Sequence, residues 1–189
     1  MATSQHLTAR DELQALLLER SVRFGDFILA SGKRSSYYID ARLTTMSGQG
    51  QVLLGQVGLQ LIDEQGWNPE ALGGLTLGAD PIAYAIAHAA TLQGRALDAF
   101  TVRKEAKAHG AGRLIEGGFE SGLRVVVVED VITTGDSALR ALRAVRDAGG
   151  EVLGVLGVVD RQEGGRQRIE SEHVAVATIF TASDLTNRQ

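Results

Sequence analysis

Short apolar runs and segments with helical spacing alternate along most of the chain. The clearest run is the four valines at 125–128, because consecutive β-branched residues are typical of a strand buried on both faces of a parallel sheet. Apolar residues recur at helical spacing in four segments, which begin after Thr8, after Ser47 and at Pro81 and, for the last, cover 137–148. Further strands are predicted at about 75–77, 96–102, 152–159 and 174–180. This order predicts an α/β fold with a mostly parallel central sheet flanked by helices.

Two segments interrupt this alternation. Residues 27–29 and 37–39 are short β-prone runs on either side of a Ser-Gly turn, which predicts a hairpin. Residues 103–117 have neither helical nor alternating periodicity and carry several glycines between two predicted strands. They predict a long mobile loop, and long loops of this kind are usually functional.

The composition bounds the class of protein. The chain has 189 residues, 44% hydrophobic and 22% charged, which predicts one soluble globular domain over 1–189. It has no cysteine, which excludes disulfides and a catalytic thiol and fits a reducing compartment. Neither a secretory signal in the segment 1–14 nor an apolar stretch of about 18 residues is found. We therefore expect a cytoplasmic protein that does not associate with membranes.

The charge distribution predicts a local anion site. A net charge of -4 argues against a broad surface for nucleic acid. The chain has only three lysines, Lys33, Lys104 and Lys107, and two of them lie in the stretch TVRKEAKAHGAGR. Arg103 and His109 lie in the same stretch, so positive charge is concentrated there.

The most specific chemical signal is the segment VVVVEDVITTGDSAL, residues 125–139. The predicted strand carries Glu129 and Asp130 to its carboxyl end, and a turn rich in hydroxyls and glycine then precedes a helix. Backbone N–H groups and hydroxyls at a helix N-terminus form a ready phosphate site. The two acids suit either a divalent cation held through water or the hydroxyls of a sugar. Together these features predict a phosphorylated sugar as ligand.

The same segment also fits an ordinary strand-to-helix turn, capped by Ser or Thr, with two solvated acids at the strand end. That alternative explains the acid pair and the turn separately. It does not explain why the valine run, the two acids and the turn follow one another without interruption. The segment is not a P-loop, since no GxxxxGK[ST] occurs, and it is not a GxGxxG fingerprint.

Beyond these general features, EDVITTGDSA resembles the ribose-phosphate loop of the type I phosphoribosyltransferases, whose shared substrate is 5-phosphoribosyl-1-pyrophosphate (PRPP). Four more segments narrow the resemblance to the orotate phosphoribosyltransferases. RKEAKAHG resembles their catalytic loop, FILASGKRSSYYID their N-terminal signature, GLTLGADPIA the segment that approaches pyrophosphate, and VVDRQEGG the strand end with an orotate-binding arginine. These motifs follow the family's order within residues 24–165.

The resemblance implies transfer of the phosphoribosyl group from PRPP to orotate, which gives orotidine 5'-monophosphate and pyrophosphate in UMP biosynthesis. It implies the type I phosphoribosyltransferase fold with a small N-terminal hood over about 1–45 and a mobile catalytic loop at about 103–117. It also implies Mg2+ as a cofactor, held by PRPP rather than directly by the protein, and through water by Glu129 and Asp130. Finally, it implies a homodimer in which part of the loop reaches the neighbouring active site.

Roles for single residues follow from the same resemblance. Glu129 and Asp130 would hold the ribose hydroxyls, and Thr133 and Arg161 would bind orotate. The residues implied to bind PRPP are Arg103, Lys104, Lys107, His109, Glu129, Asp130, Val131, Ile132, Thr133, Thr134, Gly135, Asp136 and Ser137.

The implied catalytic residues are Lys107, His109 and Asp130. Lys107 would stabilise negative charge on the leaving pyrophosphate in the transition state. His109 would donate a proton to pyrophosphate or a plain hydrogen bond.

The chain departs from the family's pattern at two positions. Many members have a lysine at the position of Ala30, and some have a lysine near that of Asp80, so two cations of the pyrophosphate site are missing here. Lys33 or Arg34 could supply a replacement.

Two other functions share the PRPP loop. A phosphoribosyltransferase for a purine or for uracil would have a different base pocket, and DRQEGG together with the predicted hairpin argues against it. A non-catalytic PRPP-sensing regulator would need a helix-turn-helix or a basic face for nucleic acid, and the sequence shows neither.

Overall fold

A mostly parallel sheet forms the centre of the protein. The structure is a computed structural model that describes residues 7–28, 32, 34–105 and 114–187. Its elements in chain order are α1 (Ala9–Arg20), β1 (Val22–Ile28), β2 (Arg34–Ile39), α2 (Arg42–Thr45), α3 (Gly48–Glu64), β3 (Ala71–Leu75), α4 (Asp80–Leu92), β4 (Asp98–Val102), β5 (Ile115–Gly117), β6 (Arg124–Ile132), α5 (Asp136–Asp147), β7 (Glu151–Asp160), α6 (Gly165–Glu170), β8 (Val176–Thr181) and α7 (Ala182–Thr186). Within the described residues, six strands form the sheet in the order β5-β4-β3-β6-β7-β8, with β5 antiparallel to β4 and the other pairs parallel. The predicted α/β class and the mostly parallel sheet are confirmed.

The valine run lies in the central strand β6, which pairs with β3 on one side and β7 on the other. All four valines at 125–128 are fully buried. Val126 and Val128 belong to the core on one face of the sheet, and Val125 and Val127 to the core on the other. The strand is longer than predicted, because it continues through Glu129 to Ile132.

Helices cover both faces of this sheet. Residues of α1, α3 and α4 form one core with Val126 and Val128, and residues of α5 and α6 form the other with Val125 and Val127. A Cβ at Gly55 would lie 2.7 Å from the Ala85 carbonyl oxygen, so glycine here allows α3 to lie close to α4.

The N-terminal segment forms a helix and a hairpin outside the main sheet. Thr8 and Asp11 form a reciprocal capping box at the start of α1, as their spacing predicts. The predicted hairpin is present as β1 and β2, which pair antiparallel in a separate two-stranded sheet. The resemblance implies a hood over about 1–45, and this hairpin lies within that range. The bounds of the hood stay a prediction.

Four short elements differ from the expectations. The end of the predicted loop 103–117 forms the edge strand β5. This strand has only three residues and ends in a glycine, so it shows no alternation in the sequence. The short helices α2, α6 and α7 have four to six residues, too few for a helical repeat to show in the sequence.

Among the residues that the structure describes, none of the helices has both the length and the apolar character that crossing a membrane requires.

Candidate active site

A cavity of about 940 Å³ opens at the carboxyl ends of β3, β6 and β7. Ligands of open parallel sheets bind at the carboxyl ends of the strands, because the strand ends and the helix N-termini meet there. The hairpin β1–β2 forms one wall. The residues that line the cavity are Phe27, Ile28, Tyr38, Ile39, Asp40, Ala41, Arg42, Leu75, Thr76, Leu77, Gly78, Lys104, Glu129, Asp130, Val131, Thr133, Thr134, Ser137, Arg161 and Glu163.

The two adjacent acids lie inside the end of β6, at the floor of this cavity. Glu129 is only 7% exposed, and its Oε2 atom has no hydrogen-bond partner. Asp130 is half-buried and accepts a hydrogen bond from the Val131 N–H at 2.8 Å. A Cβ at Gly78 would lie 2.7 Å from Asp130 Oδ1, so the segment after β3 approaches the acids closely because it has no side chain there. Glu129 lines the cavity, and its buried carboxylate oxygen without a partner is suited to accept a hydrogen bond from a ligand hydroxyl.

Burial raises the pKa of the Glu129 carboxyl well above its ordinary value of about 4.5, and the neighbouring Asp130 carboxylate raises this pKa further. In the unfolded chain the same group ionises near its ordinary value. Its contribution to the free energy of unfolding is therefore fully present below about pH 4.5 and is lost as the pH rises through the folded-state pKa.

We expect the variant Glu129→Gln, which cannot ionise, to gain thermal stability relative to the wild type as the pH rises from about 4.5 towards 8. Melting temperatures of the ligand-free proteins across this range measure the difference. Glu151→Gln, at the exposed start of β7, serves as the control and should follow the wild type. A constant difference between Glu129→Gln and the wild type at all pH values would contradict the assignment.

The turn after β6 leads into α5 and contains the predicted phosphate site. Gly135 precedes the helix with a φ of 81°, a left-handed conformation that favours glycine. Thr133, Thr134 and Ser137 line the cavity. Gly135 and Asp136 do not line it, and Asp136 instead accepts a hydrogen bond from the Thr134 hydroxyl at 2.7 Å.

The other predicted PRPP residues do not all lie at the cavity. Val131 lines the cavity, but Ile132 is fully buried in the core. Lys104 lines the cavity, whereas Arg103 does not and lies 3.7 Å from Glu116. Lys107 and His109 lie outside the described residues, as do Lys33 and Ala30.

Arg161 follows β7 and lies on the side of the cavity next to the hairpin. Its side chain is 7% exposed, its Nη2 pairs with Glu163 Oε1 at 2.9 Å, and its guanidinium lies 5.1 Å from the centre of the Tyr37 ring. Its Nε has no hydrogen-bond partner. The pairing with Glu163 is the ordinary role that a strand-end arginine plays, but the unpartnered donor leaves capacity for an acidic ligand.

Asp80, which stands near the position of a family lysine, is engaged in holding the segment after β3. Its carboxylate accepts hydrogen bonds from the hydroxyls of Thr76 at 2.7 Å and Thr101 at 2.8 Å. Thr76 and Leu77, joined by a cis peptide bond, line the cavity with Gly78. The acid at this position therefore fixes the segment that borders the cavity, which a lysine could not do by accepting these bonds.

Other lining residues were not expected as site residues. Asp40 and Arg42 pair through Arg42 Nε and Asp40 Oδ1 at 2.8 Å, and Phe27 and Tyr38 pack with ring centres 5.8 Å apart. The segment FILASGKRSSYYID contains three of the four, so the resemblance indicates the region but not which side chains turn inward. In the part of the chain that the structure describes, no group of three or more His, Asp or Glu side chains could hold a metal ion directly.

Comparison with known proteins assigns the family. No protein-family model matches the chain. The chain is 48% identical over 179 residues to the orotate phosphoribosyltransferase of Aquifex aeolicus, which covers 93% of this chain and 97% of the relative. The chain belongs to the orotate phosphoribosyltransferase family.

Solved structures of orotate phosphoribosyltransferases agree with this assignment. The Mycobacterium tuberculosis H37Rv enzyme in complex with Fe(III) dicitrate has a TM-score of 0.85 and 47% identity, and the match covers 95% of this chain and 99% of that one. The same enzyme in complex with PRPP has a TM-score of 0.80 and 43% identity, over 94% and 99% of the two chains. The fold class and the family that the sequence motifs predict are confirmed.

Proposed function

We propose that the cavity holds PRPP and orotate side by side, with PRPP along the end of β6 and orotate beside Arg161. The reaction is the transfer of the phosphoribosyl group from PRPP to orotate, with release of pyrophosphate and formation of orotidine 5'-monophosphate. One observation carries the assignment of the site: the two adjacent acids of β6, the phosphate turn and a buried arginine with an unpartnered donor line the same cavity.

The phosphoribosyl group is oriented from two sides. Ribose hydroxyls donate to the carboxylates of Glu129 and Asp130, which gives the unpartnered Glu129 oxygen a hydrogen bond. The 5'-phosphate binds at the turn 133–137, where hydroxyls and N–H groups lie just before α5 and in its first residues. Holding the ribose at both ends fixes its C1 atom relative to the base, and this positioning lowers the barrier.

Orotate carries a carboxylate, and Arg161 supplies a buried cation beside the hairpin in the lining of the cavity. The guanidinium can donate from Nε while Nη2 stays paired with Glu163. A charged, directional contact of this kind distinguishes orotate from bases that have no carboxylate. Thr133, at the cavity wall near the acids, is the second residue proposed to contact the base.

The bond from C1 to pyrophosphate breaks as a ring nitrogen of orotate forms its bond to C1. Pyrophosphate leaves with the bonding electron pair, and the proton that the ring nitrogen loses passes to solvent or to pyrophosphate. Negative charge therefore develops on pyrophosphate, and Lys104 lies at the cavity wall to stabilise it. Lys107 and His109 are proposed to act there as well, with His109 giving a proton or a hydrogen bond.

Mg2+ is proposed as the cofactor. The carboxylates of Glu129 and Asp130 are hard oxygen donors, and the buried, unpartnered Oε2 of Glu129 fits a hydrogen bond from a metal-bound water. When bound to PRPP, the ion would neutralise charge on the leaving pyrophosphate.

A homodimer that shares the catalytic loop is also proposed. Arg103 does not line the cavity of its own chain, although the next residue, Lys104, does. Leu43 in α2, Met46 directly after α2 and Val52 in α3 are more than half exposed, and large exposed apolar side chains favour burial against another subunit. A cytoplasmic location is proposed from the absence of cysteine, which fits a reducing compartment.

The decisive experiment mixes the purified protein with PRPP, Mg2+ and orotate and follows the ultraviolet absorbance of orotate. We expect absorbance to fall only when both PRPP and Mg2+ are present, and hypoxanthine, adenine and uracil to remain unchanged in parallel reactions. Consumption of another base instead of orotate would contradict the base site while keeping the PRPP site. Binding of PRPP without any reaction would favour a PRPP-sensing regulator.

A further inference from the structure

The short helix α6 lies directly against the phosphate turn. The Gly165 N–H donates to the Thr133 carbonyl oxygen at 3.1 Å. Arg168 donates from Nη1 to the Thr134 carbonyl oxygen at 2.6 Å and pairs through Nη2 with Asp136 Oδ1 at 2.9 Å. A Cβ at Gly165 would lie 2.7 Å from the Gly135 nitrogen, so helix and turn are in close contact.

These contacts fix the orientation of two peptide groups of the turn. In a trans peptide, the C=O and N–H bonds point in opposite directions. Because the Thr133 and Thr134 carbonyls point at Gly165 and Arg168, the N–H groups of Thr134 and Gly135 point away from those partners. N–H groups that are held in one orientation bind phosphate without a further loss of backbone entropy.

The charge of Asp136 gives Arg168 a second effect. Hydrogen bonds from the Thr134 hydroxyl and from Arg168 lower the pKa of the Asp136 carboxyl, so this group is ionised beside the turn. An ionised carboxylate repels a phosphate dianion unless a cation compensates it. Arg168 supplies that cation at 2.9 Å and draws the carboxylate towards α6.

We propose that Arg168 is a positioning residue for the 5'-phosphate subsite, which it keeps in its binding conformation by anchoring the Thr134 carbonyl and compensating Asp136. The proposal rests on the function proposed above, because it takes the turn 133–137 as the 5'-phosphate site. Arg168 does not line the cavity, so it acts through the turn and not by contact with substrate.

Arg166 provides a matched control in the same helix. It also binds one carboxylate and one backbone carbonyl, through Nε to Glu170 Oε1 and Nη2 to the Val176 oxygen, both at 2.8 Å. These partners belong to α6 and β8 and not to the phosphate turn. Arg166→Ala therefore removes a similar set of bonds without touching the turn.

The test compares Arg168→Ala with Arg166→Ala by calorimetric titration of ribose 5-phosphate and, separately, of pyrophosphate with Mg2+. We expect Arg168→Ala to weaken ribose 5-phosphate binding about tenfold and to raise the KM for PRPP by a similar factor. Pyrophosphate affinity should stay at the wild-type value, and Arg166→Ala should match the wild type in both titrations. Arg168→Lys, which keeps the charge but not the two-pronged guanidinium, should give an intermediate loss.

Charge compensation is tested by adding Asp136→Asn to Arg168→Ala. The double variant should recover part of the ribose 5-phosphate affinity, because the uncompensated carboxylate is gone. An equal loss of affinity for both ligands, or identical behaviour of the Arg166 and Arg168 variants, would overturn the proposal. Failure of the wild-type protein to bind ribose 5-phosphate would instead overturn the proposed phosphate site itself.

Discussion

Replacing Arg161 by alanine should reduce kcat/KM for orotate by about a hundredfold or more and leave the KM for PRPP near its wild-type value. The side chain is 7% exposed and pairs with Glu163, and its Nε is a buried donor without a partner. An orotate carboxylate that binds there gives this donor a charged hydrogen bond in a site of low dielectric. Steady-state kinetics with each substrate varied in turn measures the two effects separately.

The Arg161 prediction needs controls for charge and for folding. Arg161→Lys retains the charge but places it at one point, so it should recover only part of the orotate affinity. Arg95→Ala removes an arginine that pairs with Asp63 at 2.8 Å outside the cavity, and it should leave both KM values unchanged. An equal loss of orotate and PRPP binding in Arg161→Ala would place the residue in the framework of the cavity and not in base recognition.

The framework of this site could be predicted from the sequence because it depends on local patterns. The valines at 125–128 are apolar without interruption, and only a strand covered on both faces hides all four. The same strand necessarily brings the adjacent acids to its carboxyl end, and the turn follows directly in the chain. Thr8 and Asp11 likewise mark the start of α1 by a spacing of three residues.

Contacts between distant segments could not be predicted in this way. Arg168 donates a hydrogen bond to the carbonyl of Thr134, which lies 34 positions earlier in the chain. Nothing in the sequence of α6 distinguishes Arg168 from Arg166 before the chain is folded. Asp80 looks like a missing cation when it is compared with the family's lysine. Its role in accepting two threonine hydroxyls depends on Thr101, which reaches it only when β4 pairs with β3.

Family resemblance and structure contribute different parts of the proposed pyrophosphate site. The structure places Lys104 at the cavity wall and Arg103 away from it, a difference between neighbouring residues that the basic stretch itself does not reveal. Lys107 and His109 lie outside the described residues, and their assignment rests on the resemblance of RKEAKAHG to the family's catalytic loop. Kinetics, which report on the loop in solution, are therefore the appropriate test of these two residues.

Lys107→Ala should lower kcat by on the order of a hundredfold and change the KM values for PRPP and orotate much less. The physical reason is the timing of charge: pyrophosphate gains negative charge as its bond to C1 breaks, so a cation aimed at it stabilises the transition state more than the bound substrate. A residue that only helped to bind PRPP would instead raise the KM for PRPP and leave kcat unchanged.

The same loop offers a matched control, because Arg113 lies in the basic stretch TVRKEAKAHGAGR and has no proposed role. Arg113→Ala removes one positive charge from this stretch and should keep kcat near the wild-type value. Lys107→Arg keeps a cation with a different shape and should recover part of the lost rate. Normal turnover in Lys107→Ala would overturn the role of this lysine in stabilising the leaving group. Equal losses in the Lys107 and Arg113 variants would instead show that the net charge of the loop matters and not one particular lysine.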